Sequence, residues 1–146
     1  MSRVAEILAR KGGQVHVISP GATAFEALVK MVKNGVGSLV VVDGDDIVGI
    51  ITERDYLRRV ALQQRDAGAT PVREIMTGNP ICLGPDRPVE DCMAIMTRER
   101  IRHLPVIEGG RLAGLVSIGD TVKHLSAERE VEVRHLTDFI TGKYPA

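Results

Sequence analysis

The chain has 146 residues, of which 44% are hydrophobic and 3% are aromatic, and its 19 basic residues balance 19 acidic ones. This length suits one domain or two half-sized units that share a core, and the hydrophobic content is too high for a disordered chain. The balanced charge excludes a broad basic surface for nucleic acid, and the scarcity of aromatic residues argues against base stacking on aromatic side chains.

The sequence carries no signal for a membrane span, a disulfide framework or a metal site. No apolar run approaches the roughly 18 residues of a membrane span, and the first residues lack the apolar core of a secretory signal. Cys82 and Cys92 match neither a disulfide framework nor a zinc motif, so we expect reduced thiols in a cytoplasmic protein. The 4 histidines have no metal-ligand spacing, so no metal is expected.

The chain is one unit written twice. From His16 onward an offset of 65 residues superimposes the copies, so that Met31 falls on Met96. Before that point the offset is 68, and we expect the three extra residues in a loop at residues 11–14, where insertions cost little. An internal repeat of this kind should decide the whole fold.

Each copy predicts the same order of elements. A short amphipathic helix leads to an extended segment, a second amphipathic helix, two strands joined by a polar turn, and a closing helix. These elements are predicted at residues 4–11, 16–18, 23–34, 39–42, 47–51 and from Thr52, and again at residues 72–76, 81–83, 89–98, 104–107, 112–116 and from Ser117. One copy of about 60 residues buries too little apolar surface to be stable alone, so the two sheets should pack together and complete one core.

The residues best suited to bind a ligand lie at the end of the second strand of each copy. Residues 49–55 are Gly-Ile-Ile-Thr-Glu-Arg-Asp, and residues 114–120 are Gly-Leu-Val-Ser-Ile-Gly-Asp. A strand that runs into a helix N-terminus leaves N–H groups that attract anions, and a carboxylate there can accept both hydroxyls of a ribose. The same Thr/Ser-x-x-Asp spacing also fits a capping box, in which the side chains only satisfy helix-end donors. One copy alone leaves both interpretations open.

The two copies differ in charge beside this motif. Phosphates need a nearby cation, and in the first copy Arg54 is the candidate. The second copy has no charge at the corresponding position, so it should borrow a cation from Arg102 or Arg100. We therefore expect two sites of different affinity or ligand preference.

The element order and both glycine-led motifs resemble the cystathionine-β-synthase (CBS) domain, and the pair resembles a Bateman module. Residues 100–107, Arg-Ile-Arg-His-Leu-Pro-Val-Ile, are also typical of second repeats in that family. The likeness covers about residues 4–125 and is greatest to small stand-alone bacterial CBS-pair proteins. It implies an α/β (α+β) fold of tandem CBS repeats, each a small three-stranded sheet with flanking helices, packed sheet to sheet with pseudo-two-fold symmetry. The predicted divisions are residues 1–66, 67–127 and a C-terminal helix at 128–146, laid on a partner or on the opposite repeat.

The resemblance also implies ligands and contacts. Family members bind adenosine derivatives in clefts between repeats, commonly AMP, ADP or ATP, and in some cases NAD or S-adenosylmethionine. By this likeness Asp55 and Asp120 would hold ribose hydroxyls, while Thr52 and Ser117 would bond ribose or the α-phosphate. The other residues implied beside the two nucleotides are Ile18, Val36, Gly37, Ser38, Cys82, Ile101, Arg102 and His103.

The implied function is a regulatory module that senses adenosine nucleotides and passes occupancy on to a partner or a dimer interface. Its alternatives are binding of NAD or S-adenosylmethionine, or an accessory role in a nucleotide-metabolising enzyme. CBS pairs occur inside inosine-monophosphate dehydrogenases, but this chain has no room for a barrel of roughly 250 residues and no evident catalytic set. No catalytic residue, catalytic cofactor, nucleic acid or membrane is therefore expected.

We also expect an unidentified protein partner and a homodimer formed through helix faces. The candidate dimer contacts, which could equally be core residues, are Phe25, Leu57, Val60, Val122 and Phe139.

Overall fold

The computed structural model describes residues 2–140, with side chains described for residues 2–136. In this range the two long amphipathic helices, the two hairpins and the helices that follow them have the order predicted for both copies. In chain order the regular elements are α1 Val4–Lys11, β1 Val17–Ile18, α2 Ala24–Asn34, β2 Ser38–Asp43, β3 Asp46–Thr52, α3 Glu53–Tyr56, a π-helical turn Leu57–Ala61, a 3₁₀ turn Val72–Glu74, β4 Thr77–Gly78, α4 Val89–Glu99, β5 His103–Glu108, β6 Arg111–Ser117 and α5 Ile118–Ile140.

The two hairpins have the same register. In the β2–β3 hairpin Ser38 lies opposite Thr52, and in the β5–β6 hairpin His103 lies opposite Ser117. Both ladders also shift register at equivalent positions, next to Val41 and next to Val106. The mixed α/β fold with tandem, symmetry-related repeats is thus confirmed.

The sheets differ in strand number from the three expected in each copy. The first has four strands in the order β1-β2-β3-β4, because β4 at the start of the second copy pairs with β3. The second has only β5 and β6, with an isolated parallel bridge from Leu83 to Val106 in place of an entry strand. The short extended segments beside each hairpin therefore decide how many strands its sheet has.

The opening segments of the two copies are exchanged. Val4 and Ile7 of α1 are buried in the hydrophobic cluster of the second copy, while Val72 and Ile75 are buried in that of the first. Equivalent hydrogen bonds hold the two segments, from the Val4 N–H to the Arg87 carbonyl at 2.9 Å and from the Val72 N–H to the Ala22 carbonyl at 2.8 Å. Two clusters, each completed by the opposite copy, replace the one shared core that the sequence predicts.

The opposite face of each hairpin is buried as well. Val40 and Ile50 are 0% and 8% exposed although they point away from the first cluster, because alternate strand residues face opposite ways. In the second hairpin Pro105 occupies the position of Val40 and is also buried. Both faces are therefore covered, as packing of the repeats sheet to sheet requires.

Gly49 and Gly114 allow the exchanged segments to approach the hairpins. A Cβ atom on Gly114 would lie 2.5 Å from a side-chain carbon of Leu8, and one on Gly49 would lie 2.5 Å from the sulfur of Met76. These distances are far below van der Waals contact, so packing requires a residue without a side chain. Leu8 and Met76 are thus equivalent residues, 68 positions apart.

The three extra residues of the first copy lengthen α1. Gly13 lies against the carbonyl oxygen of Ala113 as Gly78 lies against that of Val48, so the offset is again 65 by Gly13. The insertion therefore falls between Leu8 and Gly13, where α1 makes its last turn. It is helical, and not the loop that the sequence predicts.

The closing helix of the second copy continues without a break from Ile118 to Ile140. The boundary predicted at residue 128 falls inside this helix, and residues 141–146 lie outside the described residues. Val131 and Leu136 on the tail are 47% and 64% exposed.

None of the helices within residues 2–140 combines the length and the apolar composition that a membrane span requires. The cytoplasmic location stays a prediction.

Candidate functional site

Both predicted motifs form a corner in which a strand passes into a helix, and both corners contain a capping box. Thr52 Oγ1 accepts a hydrogen bond from the Asp55 N–H at 3.1 Å, and Asp55 Oδ2 accepts one from the Thr52 N–H at 3.0 Å. Ser117 and Asp120 repeat this exchange at 3.1 and 2.9 Å. The capping interpretation thus holds in both copies. The boxes use Oδ2 of each carboxylate, so they do not by themselves occupy Oδ1.

The loop that precedes each hairpin is tied to the same corner. The Glu53 N–H donates to the Gly37 carbonyl at 3.0 Å, and the Ile118 N–H donates to the Arg102 carbonyl at 2.9 Å. Together with the capping boxes, these bonds give several N–H groups at each helix start an acceptor within the chain. Binding of an anion by the helix end alone is therefore weaker here than the sequence suggests. A side-chain cation becomes more important.

Such a cation lies in the second corner. Lys11 Nζ is 2.7 Å from Asp120 Oδ2 and donates a second hydrogen bond to the Leu115 carbonyl at 2.9 Å. The sequence named Arg102 or Arg100 as the cation for a phosphate at this corner, and that role stays a prediction. Lys11 was not foreseen, and it reaches Asp120 because the extra turn of α1 carries it across to the opposite copy. The interrupted repeat was the signal in the sequence, since the insertion ends in a lysine.

The environment of this corner shifts two pKa values. Burial opposes ionisation of Asp120, but hydrogen bonds from Lys11 and from the Ser117 N–H outweigh it and lower the pKa of this carboxyl below its usual range. Burial, reinforced by the positive charge of Lys11, lowers the pKa of His103. The second corner therefore combines an ionised carboxylate, an ammonium group and an imidazole that favours its neutral form.

The first corner has different chemistry. Ser38 takes the position of His103 and is 6% exposed. The side chain of Glu53 lies near the loop, because a Cβ atom on Gly37 would be 3.7 Å from its carboxyl carbon. Arg54, the predicted cation, is exposed. An acidic group thus lies where the second corner has none, and the two corners differ in charge as the sequence predicts.

The remaining predicted residues lie at the loops and entry segments. Val36 and Ile101 are half-buried just before the two hairpins. Ile18 is buried and pairs with Val41 of β2. Cys82 is half-buried, and burial raises the pKa of its thiol. The predicted residues therefore form two groups. In each copy the corner and the loop that precedes the hairpin are in close contact, whereas the entry segment lies farther along the sheet.

Two surface grooves lie away from both corners. One of about 510 Å³ runs along α2 and the other, of about 540 Å³, along α5. Neither contains a predicted nucleotide-site residue, so they add nothing to the case for the corners. Their lining residues are Phe25, Glu26, Val29, Lys30, Lys33 and Asn34 on α2, and Ser126, Arg129, Glu130, Val133 and Arg134 on α5.

Comparisons with known proteins agree with this architecture. A family model described as the CBS domain matches residues 4–62 and 72–127. A CBS domain-containing protein of Arabidopsis thaliana, named as mitochondrial, is 41% identical over 127 residues, which are 84% of this chain and 62% of that protein. This chain thus spans less than two thirds of that relative.

Solved structures are similar over a larger share of their length. One with CBS domains from Burkholderia ambifaria is 47% identical with a TM-score of 0.83, covering 86% of this chain and 95% of that one. A CBS domain protein from Pyrobaculum aerophilum, complexed with AMP, is 32% identical with a TM-score of 0.73, covering 82% and 89%.

Proposed function

Because this chain belongs to the CBS-domain family, we propose that it is a regulatory module without catalytic activity of its own, which binds adenosine nucleotides at its two corners. The observation that carries this proposal is the repeated corner. In both copies a capping box orients an aspartate beside the loop that precedes the hairpin. The AMP complex of the Pyrobaculum aerophilum relative supports an adenosine ligand.

In each site the carboxylate would accept hydrogen bonds from the two ribose hydroxyls. The capping box holds Asp55 or Asp120 through Oδ2, and Oδ1 can accept a further donor. Thr52 and Ser117 would contact the ribose or the α-phosphate with their hydroxyl groups. The segment leading into each hairpin would contact the nucleotide, through Val36, Gly37 and Ser38 in the first copy and through Ile101, Arg102 and His103 in the second. The entry residues Ile18 and Cys82 would line the adenine.

The second corner would take the more highly phosphorylated ligand. Lys11 has three donors, and two of them already bond Asp120 and the Leu115 carbonyl. The third can bond a phosphate while the ammonium group keeps its contact with Asp120. In the first corner Glu53 would repel a phosphate near the loop, and Arg54 would have to reach it from an exposed position.

Calorimetry with AMP, ATP, NAD and S-adenosylmethionine tests the ligand and the site together. Asp55→Asn and Asp120→Asn keep an acceptor for the helix cap but remove the charge. Each is expected to weaken one site by about 1.5–3 kcal/mol, or roughly 10- to 150-fold in affinity. Asp45→Asn, at an exposed position in the hairpin turn, is the matched control. Unchanged AMP binding in the double variant would refute this site assignment.

The same titration separates the alternatives. NAD and S-adenosylmethionine both contain adenosine, so tighter binding of either one, with the same loss in the variants, would keep the site and change the ligand. Binding of none of the four compounds would reject an adenosine sensor.

We further propose that occupancy is passed on through a homodimer. Phe25, Val29 and Val32 form an exposed apolar stripe along α2, being 53%, 46% and 73% exposed. Of the other candidate contacts, Leu57 and Val122 are exposed, Val60 is 2% exposed and lies in the core, and Phe139 lies outside the described side chains. Sedimentation should show a dimer that Val32→Glu dissociates. A monomeric wild type would remove this part of the proposal.

A further inference from the structure

His124 lies at the contact between α1 and α5 with two carboxylates beside it. Its side chain is 6% exposed, and among the described residues neither ring nitrogen has a hydrogen-bond partner. Glu6 Oε2 and Glu128 Oε1 lie 3.6 and 3.8 Å from Nε2. The ligand atoms of all three residues are within 4.8 Å of one another.

These distances are unfavourable for a cluster of side chains alone. A gap of 3.6 Å is too long for a hydrogen bond, and burying an imidazole without hydrogen-bond partners is destabilising. The two carboxylates are also close enough to repel each other. A cation in the centre would remove both costs.

The spacing suits a small metal ion. Metal–ligand bonds of about 2.0–2.2 Å in a tetrahedral site place neighbouring ligand atoms about 3.4 Å apart. The observed 3.6 and 3.8 Å therefore need only a small rotation of Glu6 and Glu128, which are 55% and 41% exposed. His124 and Glu128 share a helix face at i, i+4, so the two ligands are positioned by α5 itself.

We propose that Glu6, His124 and Glu128 bind a divalent transition-metal ion such as zinc, with water at the fourth position. An imidazole nitrogen with two carboxylate oxygens is a donor set of such ions, whereas magnesium and calcium prefer oxygen ligands alone. The ion would fasten α1, which also carries Lys11, to α5, which also carries Asp120. The proposal is independent of nucleotide binding, because none of its ligands belongs to a corner.

The lack of metal spacing among the histidines concealed this site in the sequence. One ligand is a lone histidine, and the ligand that completes the set lies at the far end of the chain. Only the exchange of the opening segments brings Glu6 to α5.

Zinc titration of the full, tag-free chain after treatment with chelator tests the proposal. The wild type should bind one equivalent, and its thermal midpoint should rise with zinc. Glu6→Gln and Glu128→Gln should each weaken binding by about tenfold or more. Both positions are partly exposed, so the variants should fold without metal. Glu130→Gln, at an exposed position on the same helix, should bind zinc as the wild type does.

Two results of the titration would overturn the proposal. One is absence of zinc binding by the wild type. The other is zinc binding that Glu6→Gln and Glu128→Gln leave unchanged. Nitrogen NMR of the His124 ring gives a second readout, since zinc needs the lone pair of Nε2 and would shift the resonance of that nitrogen. A ring with a proton on both nitrogens in the presence of zinc would show that His124 is a cation paired with the carboxylates, and would equally reject the metal site.

Discussion

The two corners have the same backbone arrangement and the same capping box, but they differ in the side chains that surround their aspartates. Asp120 has Lys11 at 2.7 Å and His103 nearby at the start of β5, whereas the first corner has Ser38 at the position of that histidine. The contact of Lys11 with Asp120 arises from the three residues inserted in α1 of the first copy. Because the opening segments are exchanged, an insertion in one copy alters the site of the other. The repeats can thus diverge in binding while their cores remain alike.

The largest expected difference between the copies concerns the glycines beneath the exchanged segments. A Cβ atom on Gly49 would lie 2.8 Å from the Thr77 carbonyl oxygen, which is backbone, whereas on Gly114 it would meet only the flexible end of Leu8. Gly49→Ala should therefore lower the free energy of unfolding by about 3 kcal/mol, and Gly114→Ala by about 1 kcal/mol. Urea denaturation of the two variants measures both. If both variants lost the same free energy of unfolding, the contact of Gly114 with Leu8 would be as rigid as that of Gly49 with the Thr77 backbone.

A second comparison concerns the ends of the two amphipathic helices. α2 ends at Gly35 with φ 64°, and α4 ends at the equivalent Arg100 with φ 56°. This left-handed conformation suits glycine and strains arginine, so Arg100→Gly should raise the free energy of unfolding by about 1 kcal/mol.

Gly35→Ala should lower it by a similar amount, as measured by thermal or urea denaturation. Arg98→Gly lies inside α4 and is the control, expected to destabilise by about 1 kcal/mol. Destabilisation by Arg100→Gly would show that contacts of the arginine outweigh its backbone strain.

The smallest expected effect is that of the ion pair found in the second corner alone. Lys11 is 36% exposed, so Lys11→Met should cost only about 0.5–1 kcal/mol at neutral pH. The pKa of Asp120 is lowered in the fold, so its stabilising effect is fully present above its ordinary value of 3.8 and is lost as the pH falls through the folded value. The difference between wild type and variant should disappear at such acid pH.

Urea denaturation at several pH values and carbon NMR of Asp120 measure this effect. Lys11→Met should raise the pKa of Asp120, whereas Lys123→Met, an exposed lysine on α5, should leave it unchanged. A pKa that does not move in Lys11→Met would show that the contact is absent in solution.

Local structure was largely predictable from local residues. Thr23 caps α2 by accepting from the Glu26 N–H, and short apolar runs bounded by polar turn residues located all four hairpin strands to within one residue. The capping interpretation of Thr-x-x-Asp was also available, since it depends on residues three positions apart. The second opening helix was overestimated, because residues 72–76 contain only a 3₁₀ turn. A segment this short has too few helical hydrogen bonds to sustain an α-helix.

What the sequence determined by itself was the repeat, the order of its elements and the aspartate at each corner, since these follow from hydrophobic period and short-range hydrogen bonding. Only the tertiary structure decided that α1 covers the second copy, that Lys11 meets Asp120, and that Glu6 meets His124 and Glu128. An amphipathic pattern states that one face of a helix must be buried, but it does not state which sheet will bury it. Contacts between distant segments depend on that choice, which packing of the whole chain makes.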